Sequence, residues 1–96
     1  DPQRSILTGY ASDFMTKYQK PADTFGGHAY DAFQVVVAAM EAAGDDPAKL
    51  RDAIEATQNF IGISGIFNMS PTDHNGLTKD AFEMVTVKNG TWAPAS

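Results

Sequence analysis

The feature that most constrains this chain is a segment with a helical pattern and an apolar surface on nearly every side. The segment runs from Ala29 to Ala43. Its clearly polar residues, Asp31, Gln34 and Glu41, are predicted to share one thin stripe of a helix with about 3.6 residues per turn. A helix that is hydrophobic nearly all round is normally buried between other elements. The segment therefore predicts that these residues belong to something larger.

The composition is that of an ordinary globular protein. Hydrophobic residues make up 43% and charged residues 20% of the 96 residues, which argues against a disordered or fibrous class. The formal net charge is -5, and the seven Lys and Arg residues do not cluster. We therefore expect no nucleic-acid binding, because that function needs a basic face to neutralise phosphates.

Sequence features that are missing narrow the class further. The chain has no cysteine, which excludes disulfide scaffolds, iron-sulfur centres and thiol chemistry without indicating a compartment. It has no apolar run of about eighteen residues, so the sequence predicts no membrane-spanning helix. No export signal is visible at the start, as expected for a mature protein or an internal fragment.

Apolar residues recur at helical spacing in the first half of the chain. Tyr10, Phe14 and Tyr18 follow one another at intervals of four residues, which predicts an amphipathic helix. Further on, Asp46 followed by Pro47 is typical of the start of a helix. The predicted helices are at about residues 4–19, 28–43 and 47–58.

After Asn59 the pattern changes to short β-type runs. Gly62 and Gly65 interrupt the first run, which predicts a bulge or a close approach of another backbone. The pair Asn89-Gly90 predicts a two-residue hairpin, because both central positions of a type I′ turn need positive φ. The predicted strands are at about residues 60–68, 82–88 and 91–94.

The apolar positions change phase within the run 82–88. The apolar residues are first at even-numbered positions, Phe82 and Met84, and then at odd-numbered positions, Val85 and Val87. Because successive side chains of a strand point to opposite faces, we expect this run to leave one packing environment for another.

Six motifs occur in order along the chain. They are the helix with Phe14 and Tyr18, His28-Ala-Tyr-Asp-Ala32, Ala43-Gly-Asp-Asp-Pro47, Leu50-Arg-Asp-Ala53, Phe60-x-Gly-x-Ser-Gly-x-Phe67 and Asn89-Gly-x-Trp92. In this order and spacing, the chain resembles the C-terminal portion of the periplasmic solute-binding proteins of ABC importers, in the branched-chain amino acid receptor family. The resemblance covers essentially the whole chain but only about the last quarter of such a protein.

The resemblance implies an α/β fold and a binding function. Family members have two lobes, each a mostly parallel sheet flanked by helices, joined by three crossing segments, with the ligand held in the cleft between the lobes. Their ligands are branched-chain or other amino acids, amides, urea-like compounds and small aromatic acids. This chain would supply helices followed by short strands and a β-hairpin, which form part of the scaffold and the last crossing.

The mouth of the second helix carries the candidate ligand-binding residues. Phe25, His28 and Tyr30 lie where the resemblance implies side chains near the cleft, and a helix N-terminus offers free N–H groups to an anionic ligand. The alternative, which we favour, is that Phe25 and Tyr30 are core residues and the tyrosine hydroxyl reaches a partner. Asp31 is interpreted as a ligand-binding carboxylate or, in preference, as an acidic residue of the first helical turn.

Asp73-His74 invites a metal or catalytic interpretation, with His28 as a second imidazole. A zinc site needs three or four ligands in a defined geometry, and a nucleophilic site needs Ser or Cys beside an oriented base. The two histidines are far apart in sequence, and the usual catalytic and phosphate-binding motifs are not in it. We therefore expect loop polarity to explain Asp73 and His74, and we expect no enzyme activity, metal or cofactor.

The sequence thus predicts a part of a periplasmic solute receptor that captures an amino acid, an amide or a small aromatic acid. Its expected partners are the ligand, the remainder of the binding protein or a homo-oligomer, and the membrane subunits of an ABC transporter. Because the resemblance places much of the ligand recognition in earlier parts of the chain, this segment is expected to form an incomplete pocket. The alternative is a self-contained α/β sensory or interaction domain that buries the second helix in a homodimer.

Overall fold

Three helices followed by short antiparallel strands make up the fold. The computed structural model describes residues 1–95. The helices are α1 (Arg4–Tyr18), α2 (Thr24–Ala43) and α3 (Pro47–Glu55), and the strands are β1 (Phe60–Ile61), β2 (Ile66–Phe67), β3 (Val85–Lys88) and β4 (Thr91–Pro94). A 3₁₀ turn, Lys79–Ala81, precedes β3. This order confirms the predicted class of helices followed by short strands and a β-hairpin.

Side-chain caps set the starts of α2 and α3. Asp23 Oδ1 accepts a hydrogen bond from the Gly26 amide at 2.9 Å, so α2 begins at Thr24, four residues before the predicted start. Asp46 caps α3 in the same way. α3 ends at Glu55, before the predicted end at residue 58, because the chain tightens after it into a shorter hydrogen-bonded turn.

The predicted strand at 60–68 is instead a short hairpin. β1 and β2 pair antiparallel, with Phe60 opposite Phe67. Between them the Gly62 amide donates a hydrogen bond to the Gly65 carbonyl at 2.9 Å, which turns the chain back on itself. We call residues 62–65 the glycine loop.

The second hairpin is the one that the Asn-Gly pair predicts. β3 and β4 pair antiparallel, and Asn89 and Gly90 between them have φ values of 54° and 79°. β3 begins at Val85, not at residue 82, because residues 79–81 form the 3₁₀ turn and residues 82–84 lie outside the strand.

One face of α2 holds the small core of the chain. Gly27, Asp31, Val35 and Ala39 follow one another at intervals of four residues, and all four are buried. This spacing puts them along one side of the helix, which packs against α3. Phe67 of β2 is the other buried apolar residue of the core.

The opposite face of α2 is uncovered. Phe33 is 66% exposed, and Val36 and Met40 are also exposed. Residues 1–95 therefore do not supply the cover that the apolar pattern demands. Among residues 1–95, none of the helices combines the length and the apolar character that a membrane span needs.

Candidate functional site

The first turns of α2 present the three candidate ligand-binding side chains to the surface. Because Asp23 caps the helix, Phe25 is in its first turn, and its side chain is 82% exposed. His28 and Tyr30 follow within the next turn and are also exposed. Neither Phe25 nor Tyr30 is buried by residues 1–95, so a core role for either side chain would need cover from outside these residues.

Tyr30 faces α1 across an open cavity of about 620 Å³. Its ring lies 4.9 Å from the ring of Tyr10, centroid to centroid, at an interplanar angle of 49°. The row continues along α1, because Phe14 lies 5.9 Å from Tyr10 and 4.7 Å from Tyr18. Four aromatic rings thus form one wall of a cavity whose volume is in the range of small-molecule sites, roughly 300–1,000 Å³.

Charged and polar groups border the same cavity. Lys17 Nζ lies 5.5 Å from the centroid of the Tyr18 ring, within the range of a cation–π contact, and Asp13 is on the same helix face. The four-residue spacing in α1 predicted an amphipathic helix but not that its aromatic residues would line a cavity. The full lining is Ser5, Ile6, Gly9, Tyr10, Asp13, Phe14, Lys17, Tyr18, Gly26 and Tyr30.

His28 lines a different cavity, of about 290 Å³, between α2, α3 and the segment that follows β2. Its walls are largely apolar, with Val35 from α2 and Ile54 from α3, and His74 contributes a second imidazole. The structure therefore does not bring His28 and Tyr30 together in one cavity, although they are two residues apart.

Asp31 is the most buried polar side chain of the described residues, with 2% of its surface exposed. Its Oδ1 accepts a hydrogen bond from the Ile63 amide at 2.7 Å, and its Oδ2 accepts one from the Ser64 amide at 2.8 Å. The interpretation of Asp31 as a first-turn residue is wrong, because α2 begins seven residues earlier, at Thr24.

Loop hydrogen bonds account for Asp73. Its Oδ1 accepts hydrogen bonds from the amides of Asn75 and Gly76, both at 3.0 Å. Backbone hydrogen bonds between Ser70 and Asp73 close the same loop. Asp73 is thus engaged by the turn in which it lies, as the loop-polarity interpretation expects.

His74 contacts the end of α3. Its Nε2 donates a hydrogen bond to Glu55 Oε1 at 3.0 Å, and Arg51 Nε donates to the same oxygen at 3.1 Å. The hydrogen bond from His74 is the main cause that lowers the pKa of Glu55 below its ordinary value. The hydrogen bond from Arg51 and the charge of Arg51 lower this pKa further. In residues 1–95 no group of three or more His, Asp or Glu side chains is placed to hold a metal ion.

Comparison with known proteins defines the class. The periplasmic binding protein family matches residues 1–91, so this chain belongs to the periplasmic binding protein family. The match confirms the resemblance that the ordered motifs carry. Members of this family are generally not enzymes.

Two solved structures share the backbone arrangement. A leucine-binding protein from Thermotoga maritima MSB8 is 29% identical over 94% of this chain, with a TM-score of 0.72. An extracellular ligand-binding receptor from Rhodopseudomonas palustris is 28% identical over 88% of this chain, with a TM-score of 0.65. The chain spans only 25% and 26% of the lengths of these proteins. No curated protein matches the sequence.

Proposed function

We propose that these residues are part of an extracytoplasmic receptor that captures a small solute and delivers it to the membrane subunits of an ABC importer. The solute is an amino acid, an amide or a small aromatic acid, and the compartment is the periplasm. One observation carries the proposal: the family matches residues 1–91, and the backbone superposes on two ligand receptors. Capture would follow from closure of two lobes on the solute, which shifts an equilibrium between open and closed forms.

The exposed groups of α1 and α2 support this class of ligand. Aromatic rings suit the apolar part of an amino acid or an aromatic acid, and a few charged groups at the rim suit its ionised ends. The cavity between the helices combines Tyr10 and Tyr30 with Lys17 and Asp13. We propose that Tyr30 contacts the solute from this wall and that Phe25 contacts it from the N-terminal end of α2. His28 lines the separate cavity beside α3 and is a candidate contact for a solute bound there.

The test is a titration of the whole natural gene product that contains these residues. Isothermal titration calorimetry with L-leucine, acetamide and benzoate covers one probe for each of the three solute classes. We expect saturable binding of at least one probe. Absence of binding by all three, in a folded preparation, would overturn the proposed class of ligand.

A variant pair then tests the site. Tyr30→Ala is expected to weaken binding of that probe by about tenfold or more, equivalent to about 1.4 kcal/mol. Phe33→Ala is the matched control, because Phe33 is also an exposed aromatic residue of α2 but is not part of the cavity wall with Tyr10. Equal losses in the two variants would contradict a contact between Tyr30 and the solute.

The uncovered face of α2 also fits the alternative, a small sensory or interaction domain that homodimerises. The two functions differ in the size and state of the natural product. A receptor should be about four times as long as these residues, as the shares of the two solved structures indicate, and should bind as one two-lobed chain. A short product that forms a discrete dimer in sedimentation would favour the alternative.

A further inference from the structure

The glycine loop and α2 are joined by a buried carboxylate. Asp31 lies on the core side of α2, and its two oxygens accept hydrogen bonds from consecutive backbone amides, those of Ile63 and Ser64. Gly62 fits directly against this carboxylate: a Cβ on Gly62 would lie 2.7 Å from Asp31 Oδ1. Within the loop, Gly62 thus leaves room for the carboxylate of Asp31, and the next two residues supply its hydrogen bonds.

The same loop also contacts α2 one turn earlier and contacts the residue that precedes α1. A Cβ on Gly27 would lie 3.0 Å from Ile63 Cγ2, so this side chain packs on the bare helix backbone. Gln3, which precedes α1, donates from its Nε2 to the Gly62 carbonyl at 2.9 Å. The loop is thus held on α2 at residues 27 and 31, and the turn between these two points carries His28 and Tyr30.

The burial of Asp31 makes the loop position matter. A buried carboxylate is costly unless its oxygens are fully hydrogen-bonded. In residues 1–95 the salt bridges are made by Glu55 and none by Asp31. The two loop amides therefore compensate the burial of the Asp31 carboxylate. If the loop moves away, the carboxylate loses both partners, and if the carboxylate is lost, two amides become unpaired.

We propose that Asp31 is a positioning residue: it fixes the turn of α2 that carries His28 and Tyr30 against the glycine loop. Asp31 does not touch the solute in this arrangement; it acts through the backbone of residues 62–65. The role in capture rests on the proposed function, whereas the connection between helix and loop does not.

The first experiment needs no variant. Hydrogen exchange in the natural gene product, resolved by residue, is expected to show the Ile63 and Ser64 amides protected like those of a helix interior, although they lie in a loop. Exchange of both amides at the rate of an open loop would overturn the connection to Asp31.

The second experiment compares Asp31→Asn with Asp52→Asn, an exposed aspartate of α3 that serves as the control. The amide group of asparagine can accept from one loop amide but opposes the other with a donor, so exchange at Ile63 or Ser64 should accelerate by about tenfold or more in Asp31→Asn alone. Gly62→Ala displaces the loop from the other side and should have the same effect. If the Ile63 and Ser64 amides exchange at unchanged rates in Asp31→Asn and in Gly62→Ala, the proposal is overturned.

Solute affinity separates positioning from folding. At a temperature where each variant is fully folded by circular dichroism, Asp31→Asn should weaken binding of whichever of L-leucine, acetamide and benzoate the natural protein binds, by about tenfold. If the loop amides exchange faster in Asp31→Asn but this variant binds the solute as tightly as Asp52→Asn does, the role of Asp31 in capture is overturned. If the natural protein binds none of the probes, the proposed function fails, and the amide exchange still decides whether Asp31 holds the loop.

Discussion

The region around α2 and the hairpin of β3 and β4 obtain their shapes in different ways. The first has a buried face along α2, a buried phenylalanine in β2 and a carboxylate that fastens the loop between β1 and β2. The second has its two strands paired antiparallel from Val85 opposite Pro94 to Lys88 opposite Thr91, yet most of its apolar side chains are exposed, with Trp92 at 76%. A two-stranded hairpin without a covered face is marginally stable in water.

The two regions differ in how much of their packing lies within residues 1–95. The region around α2 is arranged by contacts inside residues 1–95, and only its outer face is bare. The hairpin has apolar side chains exposed along both strands and just before them, including Met84, Val87 and Trp92. We infer that the hairpin packs against a surface that residues 1–95 do not supply.

The largest loss of stability is expected from a substitution in the buried core around α2. Phe67 is 8% exposed, so Phe67→Ala should lower the free energy of unfolding by about 3–5 kcal/mol. Urea denaturation of the natural gene product, followed by circular dichroism, measures the loss. Phe67→Leu, which keeps most of the volume, should lose much less, and a loss below about 1 kcal/mol in the alanine variant would show that Phe67 is not a core residue.

The effect of a substitution in the hairpin of β3 and β4 on stability should depend on whether the hairpin is covered. In the isolated 96 residues, Trp92→Ala should change the unfolding free energy by less than about 0.5 kcal/mol, because the side chain is mostly in water. In the whole gene product the same substitution should cost about 2 kcal/mol or more, because a covered aromatic side chain leaves a cavity when it is removed. Equal small effects in both settings would mean that the hairpin is not covered.

A smaller effect is expected at the start of α3. Asp46 Oδ1 accepts the hydrogen bond from the Lys49 amide at 3.0 Å, and loss of such a cap costs about 1 kcal/mol. Asp46→Ala should therefore lower the midpoint of urea unfolding. Asp45→Ala is the matched control, since it removes the same charge one residue away without removing the cap, and an equal shift there would assign the effect to charge.

Local chemistry made part of the fold predictable from the sequence. The cap and proline at the start of α3 and the Asn-Gly turn of the second hairpin each act through neighbours within a few residues. The start of α2 could have been found by the same reasoning, because Asp23 is a capping residue. The predicted start at residue 28 instead left Asp23 and the pair Gly26-Gly27 outside the helix.

The site was less predictable, because its contacts join distant parts of the chain. Asp31 bonds to amides 32 and 33 residues away, and helical spacing alone gives it no partner. The pairing of Tyr30 with Tyr10 likewise depends on how α1 and α2 approach each other. Gly62 and Gly65 did signal a close approach, but what approaches Gly62 is the carboxylate of Asp31, not another backbone.

The smallest effect belongs to the contact between α3 and the loop after β2, and it depends on pH. The hydrogen bond from His74, with the contribution of Arg51, lowers the pKa of Glu55 in the folded chain. A folded pKa below the unfolded one stabilises the fold above the ordinary range of a glutamate, about pH 4 to 5, and this stabilisation is lost as the pH falls through the folded pKa. Glu55→Gln and His74→Ala should therefore lower the urea midpoint slightly at pH 7 and should match the natural protein at a pH below the folded pKa of Glu55, where the carboxylate is protonated. Because Arg51 still holds Glu55 in His74→Ala, that variant should lose less than Glu55→Gln. A deficit that is the same at both pH values would show that the side chains act through packing rather than through the charge of Glu55.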